Sequence, residues 1–282
     1  MNITRRNLGL LTAAATATAM TGRAFAATTL ENIRQTGTVS VGTEAALPPF
    51  EFVQDGKIVG LGSDILAEVV KALNVKLTQF DLPFSGILPG LLAKKFDFVA
   101  TTISITEERA HKYAFTRPIA SGAPWIMKRA NDPMKSLKEL DGKVIGTQIA
   151  SNTVPVADEL NQYLIANGGK GVAETKQYTS FADCYVALAN GEIDGVLQAL
   201  PGLATLVKEK PKVFALLEEV PAKNFYAHLA WCTRAEDTDL RDFLNTVIGR
   251  MTDDGTLYKL HEKWFGFVMK MPSSGYLPPN AI

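Results

Sequence analysis

Hydrophobic positions recur along the chain with two periods, and the two periods alternate. Short alternating or wholly apolar runs predict strands, whereas apolar stripes spaced by three and four residues predict amphipathic helices. The predicted strands are 38–43, 75–80, 96–100, 125–128, 143–147, 193–197, 213–216 and 226–233. The predicted helices are 64–73, 85–92, 154–164, 181–189, 203–208, 240–251 and 257–265. Because strands alternate with helices, the pattern predicts an α/β fold with mainly parallel sheets.

Turn and capping residues mark the ends of several of these segments. Asp55 and Gly56 lie between the apolar runs 50–53 and 58–61, which predicts a hairpin with a tight turn. Ser63 is expected to cap the helix that follows, because a serine hydroxyl can accept a hydrogen bond from the free amides of a first helical turn.

The alternation comes in two blocks of similar size, separated by a polar connector at 129–142. Two such blocks predict two α/β lobes. Open parallel sheets bind ligands at the carboxyl ends of their strands. The segments 101–104 and 149–152 follow predicted strands, one in each block, so the pattern predicts a ligand held between the lobes.

The segment after the strand 96–100 carries the first chemical signal. Thr106 is a suitable N-cap for a short helix, and Arg109 then falls in the first turn, where a cation is unfavourable unless it meets an anion. A guanidinium binds a carboxylate through two parallel hydrogen bonds. The hydroxyls of Thr101, Thr102 and Ser104, expected in a turn, would complete an anion site. A surface arginine in water is the alternative interpretation.

Composition narrows the function classes. The chain has 282 residues, of which 46% are hydrophobic and 21% charged, enough for two globular domains. Its 29 basic and 29 acidic residues contain no basic run, which argues against nucleic-acid binding. The two cysteines, Cys184 and Cys232, are expected to be buried thiols. No histidine or cysteine spacing indicates a metal site, and no cofactor is expected.

The first 26 residues predict a cleaved signal peptide rather than part of the fold. Arg5 and Arg6 precede an apolar, Ala/Thr-rich run, and a small-residue cleavage site ends at Ala26. The arginine pair resembles a twin-arginine export signal, although the general secretion route stays open. An N-terminal anchor is the other alternative, but the run is shorter than the ~20 residues that a membrane span needs. Export to the periplasm is therefore expected.

Four ordered motifs between Leu30 and Gly266 carry a resemblance to a known family. They are PPFEF at 48–52, FSGILPGL at 84–91, TISITEER at 102–109 with FTRP at 115–118, and DGTLY at 254–258 with KWFG at 263–266. Together they resemble the periplasmic solute-binding proteins of polar-amino-acid ABC transporters.

The resemblance implies a type II periplasmic binding protein, in which two lobes joined by two hinge crossovers close on a ligand. The crossovers would lie near 116–121 and 220–226. The implied divisions are lobe 1 at 28–118 and 223–270, lobe 2 at 119–222, and an extended tail at 271–282.

The resemblance also implies which residues contact the ligand carboxylate. Arg109 would clasp it, and Thr102 and Ser104 would offer hydroxyl and backbone partners. Ser151 and Asn152, on the loop of the second lobe, would close over the same group.

The remaining implied contacts concern the body of the ligand. Leu47 and Phe84 would enclose its carbon skeleton, and Glu44 would face its far end, where an acid favours a cation. Two aspartates usual in the family are absent here, since Ala199 and Gly62 stand in their places. An unpaired buried ammonium would cost several kcal/mol. Either Glu44 supplies the charge, or the ligand is not an ordinary α-amino acid; a Glu44 at the rim in water is the alternative.

The implied function is capture of a small carboxylate-bearing solute, an amino acid or derivative, and its delivery by a monomer to an inner-membrane ABC permease, without chemistry. Two alternatives remain. Some relatives of this family resemble cyclohexadienyl dehydratases, which would need a general acid in the cleft. A ligand sensor or adaptor is the other, although no signalling domain is evident.

Overall fold

The computed structural model describes residues 27–223 and 227–282. The predicted signal peptide at 1–26 and three residues of the predicted return crossover lie outside the described residues. The helices are α1 (Thr29–Thr36), α2 (Leu61–Leu73), α3 (Phe84–Leu92), α4 (Glu107–Ala110), α5 (Thr153–Ala166), α6 (Phe181–Asn190), α7 (Leu200–Glu209), α8 (Thr238–Asp253) and α9 (Thr256–Phe265), with a 3₁₀ helix at Leu137–Leu140. The strands are β1 (Thr38–Thr43), β2 (Ala46–Leu47), β3 (Glu51–Gln54), β4 (Lys57–Val59), β5 (Lys76–Asp81), β6 (Phe98–Ser104), β7 (Tyr113–Phe115), β8 (Ala120–Ser121), β9 (Pro124–Arg129), β10 (Val144–Gln148), β11 (Glu174–Tyr178), β12 (Gly195–Ala199), β13 (Phe214–Glu219) and β14 (His228–Arg234).

Two large sheets with the same internal arrangement organise the chain. The first has the order β5-β1-β6-β14-β7, with β8 also paired to β14, and the second has the order β11-β10-β12-β9-β13. In each, three parallel strands form one side and antiparallel strands complete the other. We call the first sheet with α1–α4, α8, α9 and the small β2–β4 sheet lobe 1, and the second sheet with α5–α7 lobe 2. The predicted α/β class, with two sheets flanked by helices, is confirmed.

The chain passes between the sheets along β8 and the start of β9. There Ala120 pairs with Leu229 of β14, and the Gly122 amide donates to the Ala227 carbonyl at 2.9 Å. The Val220 amide donates to the Pro124 carbonyl at 2.8 Å, so the segment that follows β13 also lies against the outgoing segment. The two connections therefore lie side by side.

The hydrophobic core explains most of the predicted helical stripes. On α2, Ile65, Leu66 and Val69 are buried, as the spacing predicts. Burying each such side chain stabilises the fold by about 1.5–3 kcal/mol. One buried cluster includes both Leu47 of lobe 1 and Phe181 of lobe 2, so the two lobes are packed against each other.

The predicted hairpin is confirmed, but the predicted cap of α2 is wrong. Asp55 and Gly56 have φ of 51° and 72°, which suits a two-residue hairpin turn. The helix α2 begins at Leu61, after Gly60 with φ of 128°. Since glycine adopts this backbone conformation at little cost, the chain enters the helix before Ser63, which lies within its first turn and caps nothing.

The strand β6 is longer than predicted, which corrects the expected hydroxyl-rich turn. It continues to Ser104, because Leu229 and Ala230 of β14 pair with its last residues. Every residue of β6 is buried, so its hydroxyls are enclosed rather than displayed on a loop.

Among the described helices, none has the length and apolarity required to cross a bilayer.

Gly62 provides a direct test of this packing. A Cβ added there would overlap Oε1 of the buried Glu51, whereas a Cβ at Gly86 of α3 would meet nothing within 4 Å. Gly62→Ala should therefore lower the free energy of unfolding by about 1–3 kcal/mol. The matched control Gly86→Ala should raise it by up to about 1 kcal/mol, because alanine is the better helix former. Urea denaturation measures both, and equal effects would contradict the described position of Glu51.

Candidate functional site

A cavity lies between the lobes at the carboxyl ends of the parallel strands. The cavity is small, with a volume of about 40 Å³. The lining residues are Leu47, Phe50, Phe84, Thr102, Ser104, Gln148, Ser151, Asn152, Thr153, Phe181, Gln198, Ala199 and Leu229. Six of the eight residues predicted to bind ligand are among them, and the two charged ones, Glu44 and Arg109, lie beside the cavity rather than in its lining. Most of the residues that the family resemblance implies therefore line one cavity, and the two charged residues lie at its border.

Arg109 links the two lobes. Its helix is capped by Thr106, whose Oγ1 accepts from the Arg109 amide at 3.2 Å, as predicted. The guanidinium donates through Nη1 to the Ser104 carbonyl at 3.2 Å and through Nη2 to the Ala150 carbonyl at 3.0 Å. It also lies 5.8 Å from the centre of the Phe84 ring. The alternative of an arginine extended into water is therefore wrong.

The guanidinium has no acidic partner among the described residues. Burial lowers the pKa of Arg109. A guanidinium nevertheless stays protonated in proteins, so Arg109 carries a positive charge. A guanidinium has five N–H donors, and two carbonyl contacts leave the others free. Ser151 and Asn152 line both the cavity and the groove at its mouth, where Arg109 lies. An anion at this border would meet the guanidinium from one lobe and these side chains from the other.

Two buried polar atoms of the lining have no partner. Thr102 Oγ1 and Asn152 Nδ2 make no hydrogen bond within the part of the chain that the structure describes. Leaving a buried polar group unpaired costs about 1–3 kcal/mol. One unpaired group comes from each lobe, so a ligand between them would relieve both costs.

The loop that carries Ser151 is held in a constrained conformation. Ala150 has φ of 62°, which is uncommon for a residue other than glycine, and its carbonyl meets Arg109. Ser151 Oγ donates to the Gln148 carbonyl at 2.7 Å and lies 2.5 Å from Thr153 Oγ1. These contacts fix the loop in the form that faces lobe 1.

Glu44 is buried between the lobes, with 2% of its surface exposed. Gln148 of lobe 2 donates Nε2 to Glu44 Oε1, and Oε2 has no partner among the described residues. Burial raises the pKa of Glu44 to about 7. The hydrogen bond from Gln148 lowers this pKa in part, and the negative charge of Asp81 raises it by a smaller amount. The alternative of a rim carboxylate in water is therefore wrong. A buried carboxylate that titrates near neutrality would favour a nearby cation.

Sequence reasoning placed Thr101 in the site, and the structure corrects this. Successive residues of a strand point to opposite faces, so Thr101 faces away from Thr102 and the cavity. Its Oγ1 donates to Glu51 Oε2 at 2.9 Å in the core of lobe 1. Glu51 is fully buried beside Gly62, and burial raises its pKa to about 8, with a smaller contribution from Glu44.

Two lining glutamines were missed. Gln148 ends β10 and Gln198 lies next to the end of β12, and Tyr185 donates its hydroxyl to Gln198 Oε1 at 2.5 Å. The rule that ligands bind at carboxyl ends of strands could have found both, because each follows a predicted strand. Phe50 and Phe181 were also missed. The sequence pattern does not distinguish an aromatic side chain that lines a cavity from one that packs in the hydrophobic core.

The structure gives little support for other chemistry. Cys184 and Cys232 are buried free thiols, as predicted, and burial raises the pKa of each to about 12. Within the described ranges no group of three or more acidic, histidine or cysteine side chains could hold a metal ion.

The raised pKa of Glu51 has a testable consequence for stability. The folded state holds the Glu51 proton up to about pH 8, whereas the unfolded side chain releases it near its ordinary pKa of 4.5. The folded state therefore binds more protons in this window, and the Glu51 contribution to stability is lost as the pH rises through it.

In urea denaturation between pH 5 and 8, the free energy of unfolding of the wild type should fall with rising pH relative to that of Glu51→Gln. The glutamine side chain has no proton to lose in this range. The exposed control Glu174→Gln should keep the wild-type profile. Parallel profiles for wild type and Glu51→Gln would contradict the buried, protonated carboxyl.

Comparison with known proteins agrees with this geometry. Residues 39–267 match the model of the family "Bacterial extracellular solute-binding proteins, family 3". The L-cystine-binding protein TcyJ of Escherichia coli is 30% identical over 240 residues, covering 84% of this chain and 86% of TcyJ. The histidine-binding periplasmic protein of Escherichia coli is 30% identical over 270 residues, covering 93% of this chain and 96% of that protein.

Among solved structures, a mutant of ArgBP from T. maritima has a TM-score of 0.73 at 30% identity, covering 84% of this chain and 99% of ArgBP. The family match at 39–267 includes residues of both lobes. The expected type II periplasmic binding protein architecture is confirmed. On this evidence the chain belongs to the bacterial extracellular solute-binding proteins of family 3.

Proposed function

We propose that this protein captures a small carboxylate-bearing solute, an amino acid or a derivative of one, between its lobes and delivers it to an inner-membrane ABC permease. The observation that carries the proposal is the Arg109 guanidinium, which bridges the lobes without an acidic partner among the described residues. The names of the similar proteins support an amino-acid ligand, since two of them bind cystine and histidine.

Each predicted site residue has a role in this proposal. Arg109 binds the carboxylate, and Thr102 with Asn152 offers the polar atoms that lack partners. Ser104 and Ser151 border the same end of the cavity. The apolar side chains of Leu47 and Phe84 contact the carbon skeleton.

Closure of the two lobes on the ligand would depend on the same contacts. Arg109 of lobe 1 reaches Ala150 of lobe 2, and a carboxylate bound between them would add charge-assisted hydrogen bonds to this contact. The hinge would lie where the two connections run side by side, near Gly122 and Val220. We place lobe 1 at 28–118 and 223–270, lobe 2 at 119–222 and the tail at 271–282.

The proposed location is the periplasm, with the protein acting there as a monomer. The basic and apolar composition of residues 1–26 supports export and cleavage near Ala26. The permease would recognise the closed, ligand-bound form, in which both lobes present fixed surfaces.

Glu44 is the proposed source of negative charge for a cationic group on the ligand. Its Oε2 is buried and has no partner among the described residues, and its hydrogen-bond donor Gln148 lines the cavity. The remaining possibility is a ligand without an ordinary α-ammonium, because Ala199 offers no charge to the lining. Catalysis of the dehydratase type is disfavoured, since the carboxyl of Glu44 is not in the lining and the cavity has no other acid among the described residues.

A thermal-shift screen tests the ligand class. The panel contains L-arginine, L-histidine, L-cystine, L-glutamine, betaines, opines and 2-oxo acids. A ligand present at 100 times its dissociation constant adds about 2.7 kcal/mol to stability. Incubation with prephenate tests the enzymatic alternative, and turnover by the purified protein would overturn the binding-only proposal.

Arg109→Ala should weaken binding of the ligand found in this screen by about 2–5 kcal/mol, because the carboxylate would lose its charged partner. Isothermal titration calorimetry measures the change. The control is Arg250→Ala, which removes an exposed arginine that lies near Glu68 on lobe 1. Unchanged affinity in Arg109→Ala would contradict the carboxylate assignment.

Glu44→Gln should weaken L-arginine binding more than L-glutamine binding, because only arginine carries a cationic side chain. For the wild type, L-arginine affinity should rise between about pH 6 and pH 8, since a bound cation favours the ionised form of a carboxyl whose pKa is about 7. Titration calorimetry across this range in wild type and Glu44→Gln measures both effects. Equal losses for the two ligands would show that Glu44 does not act through its charge.

A further inference from the structure

The segment 276–282 lies beyond the residues that match the family model, yet it packs beside the binding site. It has no helix or strand. Tyr276, Leu277 and Ala281 are partly buried against the apolar cluster that contains Phe84 and Ala110. Pro278 is buried. A segment of this kind, held by several apolar contacts, is a fixed part of lobe 1.

The same segment holds the helix that carries Arg109. The Ile282 amide donates to the Ala110 carbonyl at 3.0 Å, and the ring of His111 donates Nε2 to the Pro279 carbonyl at 3.3 Å. Arg241 of α8 donates to the Ile282 carbonyl at 3.2 Å, so Ile282 is also bonded to α8. The segment is therefore bonded to the two residues that directly follow Arg109.

The helix α4 needs such support. It has four residues, and a helix of this length does not persist by itself in water, because its hydrogen bonds do not offset the ordering of its backbone. Its last carbonyls have no partner within the helix. Thr106 satisfies the amide end, and the Ile282 amide satisfies Ala110 at the carbonyl end. Both ends of the turn that carries Arg109 are thus fixed from outside it.

A second line of contact leads to the same side chain. The Arg109 guanidinium lies over Phe84, which belongs to the cluster that Leu277 and Ala281 cover. Loss of these contacts would loosen the ring that supports the guanidinium as well as the helix that carries it. Backbone support and side-chain support therefore come from one segment.

We propose that residues 276–282 position Arg109. They hold α4 and the Phe84 ring in place, so that the guanidinium points to the ligand carboxylate. This inference rests on the proposed function for its ligand. Leu277 is the central positioning residue, because its side chain packs against the cluster and is not among the residues that line the cavity.

Hydrogen exchange on the ligand-free protein tests the structural half. Four backbone amides in α4 and just after its last residue donate hydrogen bonds: Arg109, Ala110, His111 and Lys112. Leu277→Ala should speed their exchange by about tenfold or more, since local opening becomes easier, while amides of lobe 2 stay unchanged. Leu277→Ile should restore slow exchange, and the exposed tail variant Ser274→Ala is the control. Unchanged exchange at these four amides would overturn the proposal.

Affinity tests the other half, with L-arginine, L-histidine, L-cystine and L-glutamine as probes. Leu277→Ala should weaken binding of the probe by about tenfold, and the effect should vanish in the Arg109→Ala background, because coupled residues are not additive. An equal loss in both backgrounds would mean that the segment adds only general stability. If no probe binds the wild type, the proposed ligand class fails, and the exchange result alone decides on the segment.

Discussion

The feature on which the site depends is a guanidinium that has no acidic partner in the described part of the chain. Arg109 is partly buried at the border of the lobes and satisfies two of its donors with carbonyls, one from each lobe. Carbonyl dipoles stabilise a cation less than a carboxylate does, so the charge remains available to an anion. Because the guanidinium joins Ser104 to Ala150, an anion bound to it would lie at the contact between the lobes.

The surrounding residues would favour binding of a ligand at this contact. Thr102 and Asn152, one from each lobe, have buried polar atoms without a partner among residues 27–223 and 227–282. Glu44 and Gln148 form a second contact between the lobes, in which a carboxylate is buried at a cost that raises its pKa. Such costs persist in a folded protein when the surrounding packing holds the groups in place, and they cluster at sites of binding. A ligand that meets these groups recovers part of the cost.

The alternation of apolar patterns was enough to predict the two sheets, because strand and helix periods are set by side-chain burial. Short or polar elements were missed: α1 has eight residues, although Thr28 and Glu31 form a capping box, and β11 is a polar edge strand. In the site, Arg109 was predicted because its position is locally unfavourable. The burial of Glu44 was not predictable, since it depends on Gln148, 104 residues away in sequence. Local signals predict candidates, whereas tertiary contacts decide which of them are buried.

The most direct measurement of the central claim is a crystal structure of the protein with its ligand bound. We expect the ligand carboxylate between the lobes, within hydrogen-bonding distance of the Arg109 guanidinium, with Thr102 and Asn152 donating to or accepting from the same ligand. A ligand bound elsewhere, or a carboxylate directed away from an Arg109 that still contacts only Ser104 and Ala150, would contradict the account.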